Sequence, residues 1–268
     1  GHGALDANTS ASNNTAVGYA SLGTNTTGIE STAMGFQSGY GGTTGSGNTS
    51  YGAYSLQTNT TGSSNTAIGR TALYLGSGGN SNTAVGRDAL FNGGGSGSNV
   101  AVGFEALYHN TGDNNTAVGA RALKAGTTGS SNTAVGHDSS GAVTTGINAT
   151  GVGVSSLPSV TTGAQNTAVG RLAGATTTTG ENNSSIGYYC RPNAATDNNC
   201  VVVGSNGMIG KGSQTAFISG GNGPTYSGNN SANFSTTSDR RIKKNIEDNN
   251  TGLDAINQVR VRNFDYRT

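Results

Sequence analysis

Apolar and polar positions along this chain follow a long, fixed beat rather than the short period of a single helix or strand. The string Asn-Thr-Ala-Val-Gly recurs at 14–18, 82–86, 115–119, 132–136 and 166–170, with Asn-Thr-Ala-Ile-Gly at 65–69. Looser copies fill the gaps at 31–35, 48–52, 99–103, 149–153, 183–187 and 200–204. The twelve closing glycines run from Gly18 to Gly204, and of the eleven intervals ten are 17 residues and one is 16. Small-Leu pairs follow in step (Ser21-Leu22, Ser55-Leu56, Ala72-Leu73, Ala89-Leu90, Ala106-Leu107, Ala122-Leu123, Ser156-Leu157). Thr-Thr-Gly turns then end at Gly28, Gly45, Gly62, Gly129, Gly146, Gly163 and Gly180. Each unit reads as a short strand, a glycine bend, a second short strand and a glycine turn.

The columns predict which way side chains face. The position before the anchoring glycine is apolar in all twelve units: Val17, Met34, Tyr51, Ile68, Val85, Val102, Val118, Val135, Val152, Val169, Ile186 and Val203. It is therefore expected to point into the core. By the two-residue period of a strand, the Thr two positions earlier shares that inward face, and the small residue between them lies on the other. The leucines supply a second apolar stripe. A 17-residue unit cannot bury a core alone, so the units must stack. At about 4.8 Å per rung, twelve rungs would span roughly 55–60 Å. No apolar period of 3.6 residues appears, and glycine and β-branched residues are too frequent for helix. The fold class is all-β: a repetitive β-helix or β-roll fibre of 17-residue coils, with a short α+β segment at the carboxyl end. One Val-type and at most one Leu-type residue per coil is little burial for 17 ordered backbones. The valine column is thus expected to gain burial between chains, a homotrimer being the natural closed bundle for a fibre.

Composition agrees with a thin core repeated many times. The 268 residues include 46 Gly, 3 Pro and no Trp; 32% are hydrophobic and 10% charged, against roughly 45–50% apolar in ordinary globular chains. The formal net charge of +1 is far from the high charge of disordered chains and gives no electrostatic footprint for nucleic acid. No stretch approaches the roughly 20 apolar residues of a membrane span, and GHGALDANTS is not a secretory leader.

The repeat ends at Gly204. Residues 1–204 form the shaft, and 205–238 form a Gly-, Ser- and Asn-rich segment with Lys211 as its one charge. Residues 239–268 then carry 12 charged side chains, against 14 in the whole of 1–204. Within this last module, Gly252–Val259 predicts a short helix and Val259–Arg267 alternates like a strand, and the module reads as cut short.

SDRRIKKNI at 238–246, followed by GLDAI and NFDYR, resembles the start of the endosialidase-type intramolecular chaperone. That domain lies at the carboxyl end of phage tail spikes, tail fibres and neck appendages. The repeats themselves are similar to NTAVG-rich fibres of phages of aquatic bacteria, and also to the heads of trimeric autotransporter adhesins, whose units are shorter. The chaperone resemblance implies trimerisation, assisted folding of the fibre and self-cleavage at the Ser238–Asp239 bond. Ser238 would be the nucleophile and Lys243 its base, the lysine amine being neutral only if burial or the cations Arg240, Arg241 and Lys244 depress its pKa. The implied partners are further copies of the chain, other virion tail proteins and a host-surface glycan or protein receptor, with no nucleic acid, membrane insertion, cofactor or metal. The implied location is the virion; a bacterial surface adhesin is the alternative.

Other residues read more plainly. His2, His109 and His137 lack metal-ligand spacing and are expected on surface turns. Cys190 and Cys200 are expected as buried small apolar residues, with a disulfide across one degenerate coil as the other reading. Tyr51, Tyr54, Tyr74, Tyr108, Tyr188 and Tyr189 could form a glycan-stacking surface, although scattered tyrosines usually need no explanation. Glycines 93–97 lack the following helix of a phosphate-binding loop, and the Asn-x-Thr/Ser triplets follow from the repeat. Threonine arrays on β-helices can bind ice, but an inward-facing Thr column argues against that use.

Overall fold

The computed structural model describes residues 1–93, 95–220, 225–227 and 235–236. One strand occurs per coil: β1 (Thr15–Val17), β2 (Thr32–Met34), β3 (Thr49–Tyr51), β4 (Thr66–Ile68), β5 (Thr83–Val85), β6 (Val100–Val102), β7 (Thr116–Val118), β8 (Thr133–Val135), β9 (Thr150–Val152), β10 (Thr167–Val169), β11 (Ser184–Ile186) and β12 (Val201–Gly204). They form one parallel ladder in sequence order, Thr over Thr and Val over its equivalent, as in Thr116↔Thr133 and Val118↔Val135. The ladder continues past the last sequence repeat: β13 (Ala216–Ser219) pairs parallel with β12 through Val201↔Ala216. Strands β14 (Thr225–Ser227) and β15 (Ser235–Thr236) then add antiparallel. The described residues contain no helix. The helix and strand expected within 239–268 lie outside them.

The expected stacking is present; the expected facing is reversed. Ala33, Ala67, Ala84, Ala101, Ala117, Ala134 and Ala168, at the centres of seven of the strands, have no exposed surface. The apolar column before the glycine points outward, with Val17 50%, Tyr51 55% and Ile186 42% exposed. The threonines share that outer face, from Thr15 to Thr167. The reason is the width of the coil. A Cβ placed on Gly174, which occupies the leucine position, would lie 2.6 Å from Leu157 Cδ2 and 3.4 Å from Ala168 Cβ. With leucines packed against the strand from across the coil, alanine fills what remains; Val202 is buried at the same place in β12, where Arg191 stands at the leucine position.

The leucines are buried, as expected, but not on a second strand. Leu22, Leu56, Leu73, Leu90, Leu107, Leu123 and Leu157 have φ between 46° and 51°, the left-handed region. A leucine there costs roughly 1–2 kcal/mol, comparable with the 1.5–3 kcal/mol gained by burying its side chain. The backbone stays paired: Leu56 N–H donates to Ala72 O at 2.9 Å and Leu73 N–H to Ala89 O at 2.9 Å, one coil on. The closing glycine is indispensable in a different way. Gly136 has φ +129°, and a Cβ there would sit 2.6 Å from the carbonyl oxygen of Gly153 on the next rung.

A buried asparagine ladder runs beside the strands. The Oδ1 of Asn48 accepts from Asn65 N–H at 2.9 Å, and its Nδ2 donates to Gly62 O at 2.8 Å. Asn65, Asn115 and Asn132 repeat both bonds, and Asn82 repeats them onto Asn99 N–H and Ser96 O. Each amide thus closes one gap to the coil above and another to the glycine turn of its own coil. Where Ser31 replaces asparagine, its hydroxyl still accepts from Asn48 N–H at 3.2 Å. The 16-residue coil loses its residue in the glycine turn: Asn110 Nδ2 donates to Gly112 O two residues on, instead of three as in Asn59 to Gly62. Strands β6 and β7 keep their register, Val100 opposite Thr116.

Gly136→Ala is expected to destabilise the stack by about 3 kcal/mol or more, through strained φ and backbone overlap together. Gly95→Ala, with φ +80° but nothing within 4 Å of its Cβ, should cost about 1 kcal/mol in the same denaturant titration. Asn132→Ala leaves Ala149 N–H and Gly146 O unpaired and should cost about 2–4 kcal/mol, whereas Asn132→Ser, which keeps an acceptor, should cost less.

Candidate functional site

The side chains that decide what the stack can do are those the coil sends outward, and the register sorts them into columns. The strand face carries Thr and Val-type residues and no charge on any of the twelve repeat rungs. The residue after each anchoring glycine begins a corner that is aromatic near the amino end. His2, Tyr19 and Phe36 stack at 5.7 and 5.2 Å with planes 11° apart, and Phe36 meets Tyr54 edge-on at 5.2 Å. Further round the coil, Tyr74, Phe91 and Tyr108 stack at 5.0 Å. The tyrosines are therefore partly organised into ladders, a regularity that single residues do not reveal. Because each ring covers its neighbour, the ladders offer a sugar mostly edges rather than the faces that stacking requires.

The middle of the stack carries charge instead. Arg121 grips Asp138 with two bonds, Nε to Oδ1 at 2.7 Å and an Nη to Oδ2 at 2.6 Å, and this hydrogen-bonded pairing raises the guanidinium pKa further. Lys124 pairs with Glu105 at 2.6 Å, and Arg87 with Asp88 at 3.2 Å. Arg87 also lies over the Phe104 ring at 4.4 Å. Such exposed pairs are screened by solvent and contribute little to stability. His137 sits on this surface, its Nδ1 3.0 Å from Asp138 Oδ2. His109 packs edge-on to Tyr108 at 4.6 Å. Among the described residues no cluster of three or more His, Cys, Asp or Glu could hold a metal, and no helix is long and apolar enough to cross a membrane.

Cys190 and Cys200 are free, buried thiols, so the disulfide reading does not hold. They occupy two different inward columns, that of Ser21 and Ala72 and that of the ladder asparagines. Cys190 Sγ donates to Gly204 O at 3.3 Å and Cys200 Sγ to Gly212 O at 3.1 Å. Cys200 N–H still donates to Asn183 Oδ1 at 2.9 Å, ending the asparagine ladder. Burial raises both thiol pKa values, for Cys200 with added repulsion from Asp197.

Ser238, Asp239 and Lys243, with the cations Arg240, Arg241 and Lys244, lie outside the described residues. The family comparison falls on that segment. Residues 238–268 match the family model described as chaperone of endosialidase. No curated protein and no solved structure matches the chain. The carboxyl-terminal resemblance and the coil stack are both present, in adjoining parts of one sequence. Missed in the sequence were the asparagine ladder and the aromatic ladders. Asparagine at nine of twelve positions before the Thr column was the available signal for the first; for the second it was aromatic residues spaced by one coil.

Native Cys190 and Cys200 should react with a thiol reagent at least about tenfold more slowly than in the unfolded chain, as their burial and raised pKa require. The pH dependence has a definite sign. Raised folded pKa values mean that the unfolded thiols ionise first, so this contribution to stability is present below pH 9.0 and is lost as pH rises through and above it. A Cys190→Ala, Cys200→Ala variant should show a smaller alkaline fall in Tm.

Proposed function

We propose that this chain is the shaft of a phage tail fibre, a structural part of the virion used to reach the host surface. The observation that carries this reading is the union, in one sequence, of a twelve-repeat coil stack with a segment matching the chaperone of endosialidase. Such a stack has a particular folding problem. Its pairings join residues 16 or 17 apart in nearly identical coils, so a slip of one whole coil costs little locally. Between chains the same ambiguity is multiplied. A module that brings three carboxyl ends level before the coils close removes it, and is dispensable once the stack is complete.

Dispensability gives self-cleavage its purpose. Hydrolysis of the Ser238–Asp239 peptide bond consumes one water, leaves a carboxylate on Ser238 and frees the amino group of Asp239. Lys243 takes the proton of Ser238 Oγ, which bonds to the scissile carbonyl carbon. The Asp239 amino group leaves with that proton, and the water then cleaves the ester and restores the hydroxyl. The cations Arg240, Arg241 and Lys244 favour the neutral lysine amine. On this reading the chain turns over once, on itself, and has no small-molecule substrate. Its partners are two further copies, neighbouring tail proteins and a host-surface receptor.

Intact-mass measurement of the full-length protein should find a product ending at Ser238, and Ser238→Ala should leave the chain whole. Lys243→Ala should slow the cut without shifting it. A fragment ending at Ser238 that persists in Ser238→Ala would remove the assignment. Light scattering should give three chains per particle, and a monomeric mass would remove the trimer.

A further inference from the structure

The outward strand face is an unpartnered surface of unusual length. Of the large hydrophobic residues left exposed, Val17, Tyr51, Ile68, Val118, Val135, Val152, Val169 and Ile186 belong to the single column before the anchoring glycine. Tyr19, Phe36, Phe104, Val154 and Tyr188 lie two residues on, at its edge. At about 4.8 Å per rung and 3.3 Å per residue, the strip is roughly 55 Å long and 13 Å wide, or about 700 Å². Apolar patches on monomeric proteins rarely exceed a few hundred Å², and a stable interface takes about 800 Å² from each partner.

The flanks of the strip say how a partner must lie. On the side that follows the strands, the two columns after the glycine carry Arg70, Arg87, Arg121 and Arg171 against Asp88, Glu105 and Asp138, a small basic excess. On the side that precedes them, the two columns before the ladder asparagines carry Glu30, Asp113 and Glu181 and no base. Arg87 is partly neutralised by Asp88, but Arg171 reaches only the Tyr188 ring and hydroxyl. Copies arranged by rotation about the stack axis bring the basic flank of one against the acidic flank of the next. An antiparallel pair would set each flank against its own kind, arginine opposite arginine.

We infer that this strip is the contact between copies of the chain, which lie parallel around a common axis with the Thr and Val columns facing inward. The inference rests on the proposed trimeric fibre and names the surface, partner and orientation that build it. It also explains why a column pointing away from its own coil is apolar on every rung: the valines belong to a core that only several chains enclose. The irregular Met34 and Tyr51 within the strip suit packing against protein better than against an ordered ice lattice, which demands a flat, repeating surface.

Variants of the 268-residue chain test this, read by light scattering with circular dichroism as the check on folding. Val118→Arg with Val135→Arg should weaken association at least tenfold while leaving the coil spectrum unchanged. Thr145→Arg, exposed but on another side of the coil, should not. If the parent associates and the paired arginines leave its mass unaltered, the strip is not the interface although the trimer stands. A monomeric parent sinks both, and thermal hysteresis from that monomer would assign the strip to ice. For orientation, Thr49→Cys should cross-link to itself through a short bis-maleimide, because equivalent rungs meet in a parallel bundle. Absence of that cross-link in an associated sample overturns the parallel arrangement. Arg171→Glu and Glu181→Lys should each weaken association and recover it when combined; failure to recover removes the flank pairing.

Discussion

The stack depends on satisfying polar backbone inside a narrow coil filled by alanines and leucines. A strand of three residues leaves most of its coil outside the sheet, and every bend exposes carbonyl and amide groups toward the interior. The asparagine amides resolve this. Most accept from the rung above and donate to a turn carbonyl, as when Asn48 joins Asn65 N–H to Gly62 O. A buried amide or carbonyl without a partner costs about 1–3 kcal/mol, and this cost would recur on each coil. With the asparagines in place, alanines and leucines can pack a small core without strand hydrogen bonds around the whole circumference.

The same narrowness explains which parts of the fold were legible beforehand. The coil length, the parallel stacking and the single short coil follow from glycine spacing, because Gly136 and its equivalents touch the backbone of the next rung and admit no side chain. Facing was misread because alternation was joined to the rule that apolar residues lie inside. In a coil filled by Ala134 and Leu123, the inside of the strand is marked by a small residue, and the valine beside it faces outward. The leucine segment was misread as a strand because nothing in Ala-Leu announces left-handed φ; that conformation is imposed by the turn and compensated by burial. The residues proposed for processing, Ser238 and Lys243, were legible only through family resemblance, since no periodicity or spacing marks them.

Two scales of core follow from this division. The inner one is closed by each chain alone and consists of alanines, leucines and amides. The outer one, of valine and threonine methyl groups, is left open by the single chain. Its absence of charge over twelve rungs contrasts with the ion pairs and stacked rings gathered on other sides of the coil. Charge stands on the exposed corners, as in the Arg121–Asp138 pair, and is missing from the strand face.

The coil from Gly103 to Gly119 shows where this architecture keeps its freedom. One residue is gone from the turn between Asn110 and Gly112, yet Val102 still stands opposite Val118. Length is thus decoupled from registry at that corner. An excursion of many residues grafted beside Thr111 would leave the rungs above and below undisturbed, so ornament on the flank and the reach of the rod can be altered independently, one by insertion and the other by adding or deleting whole coils.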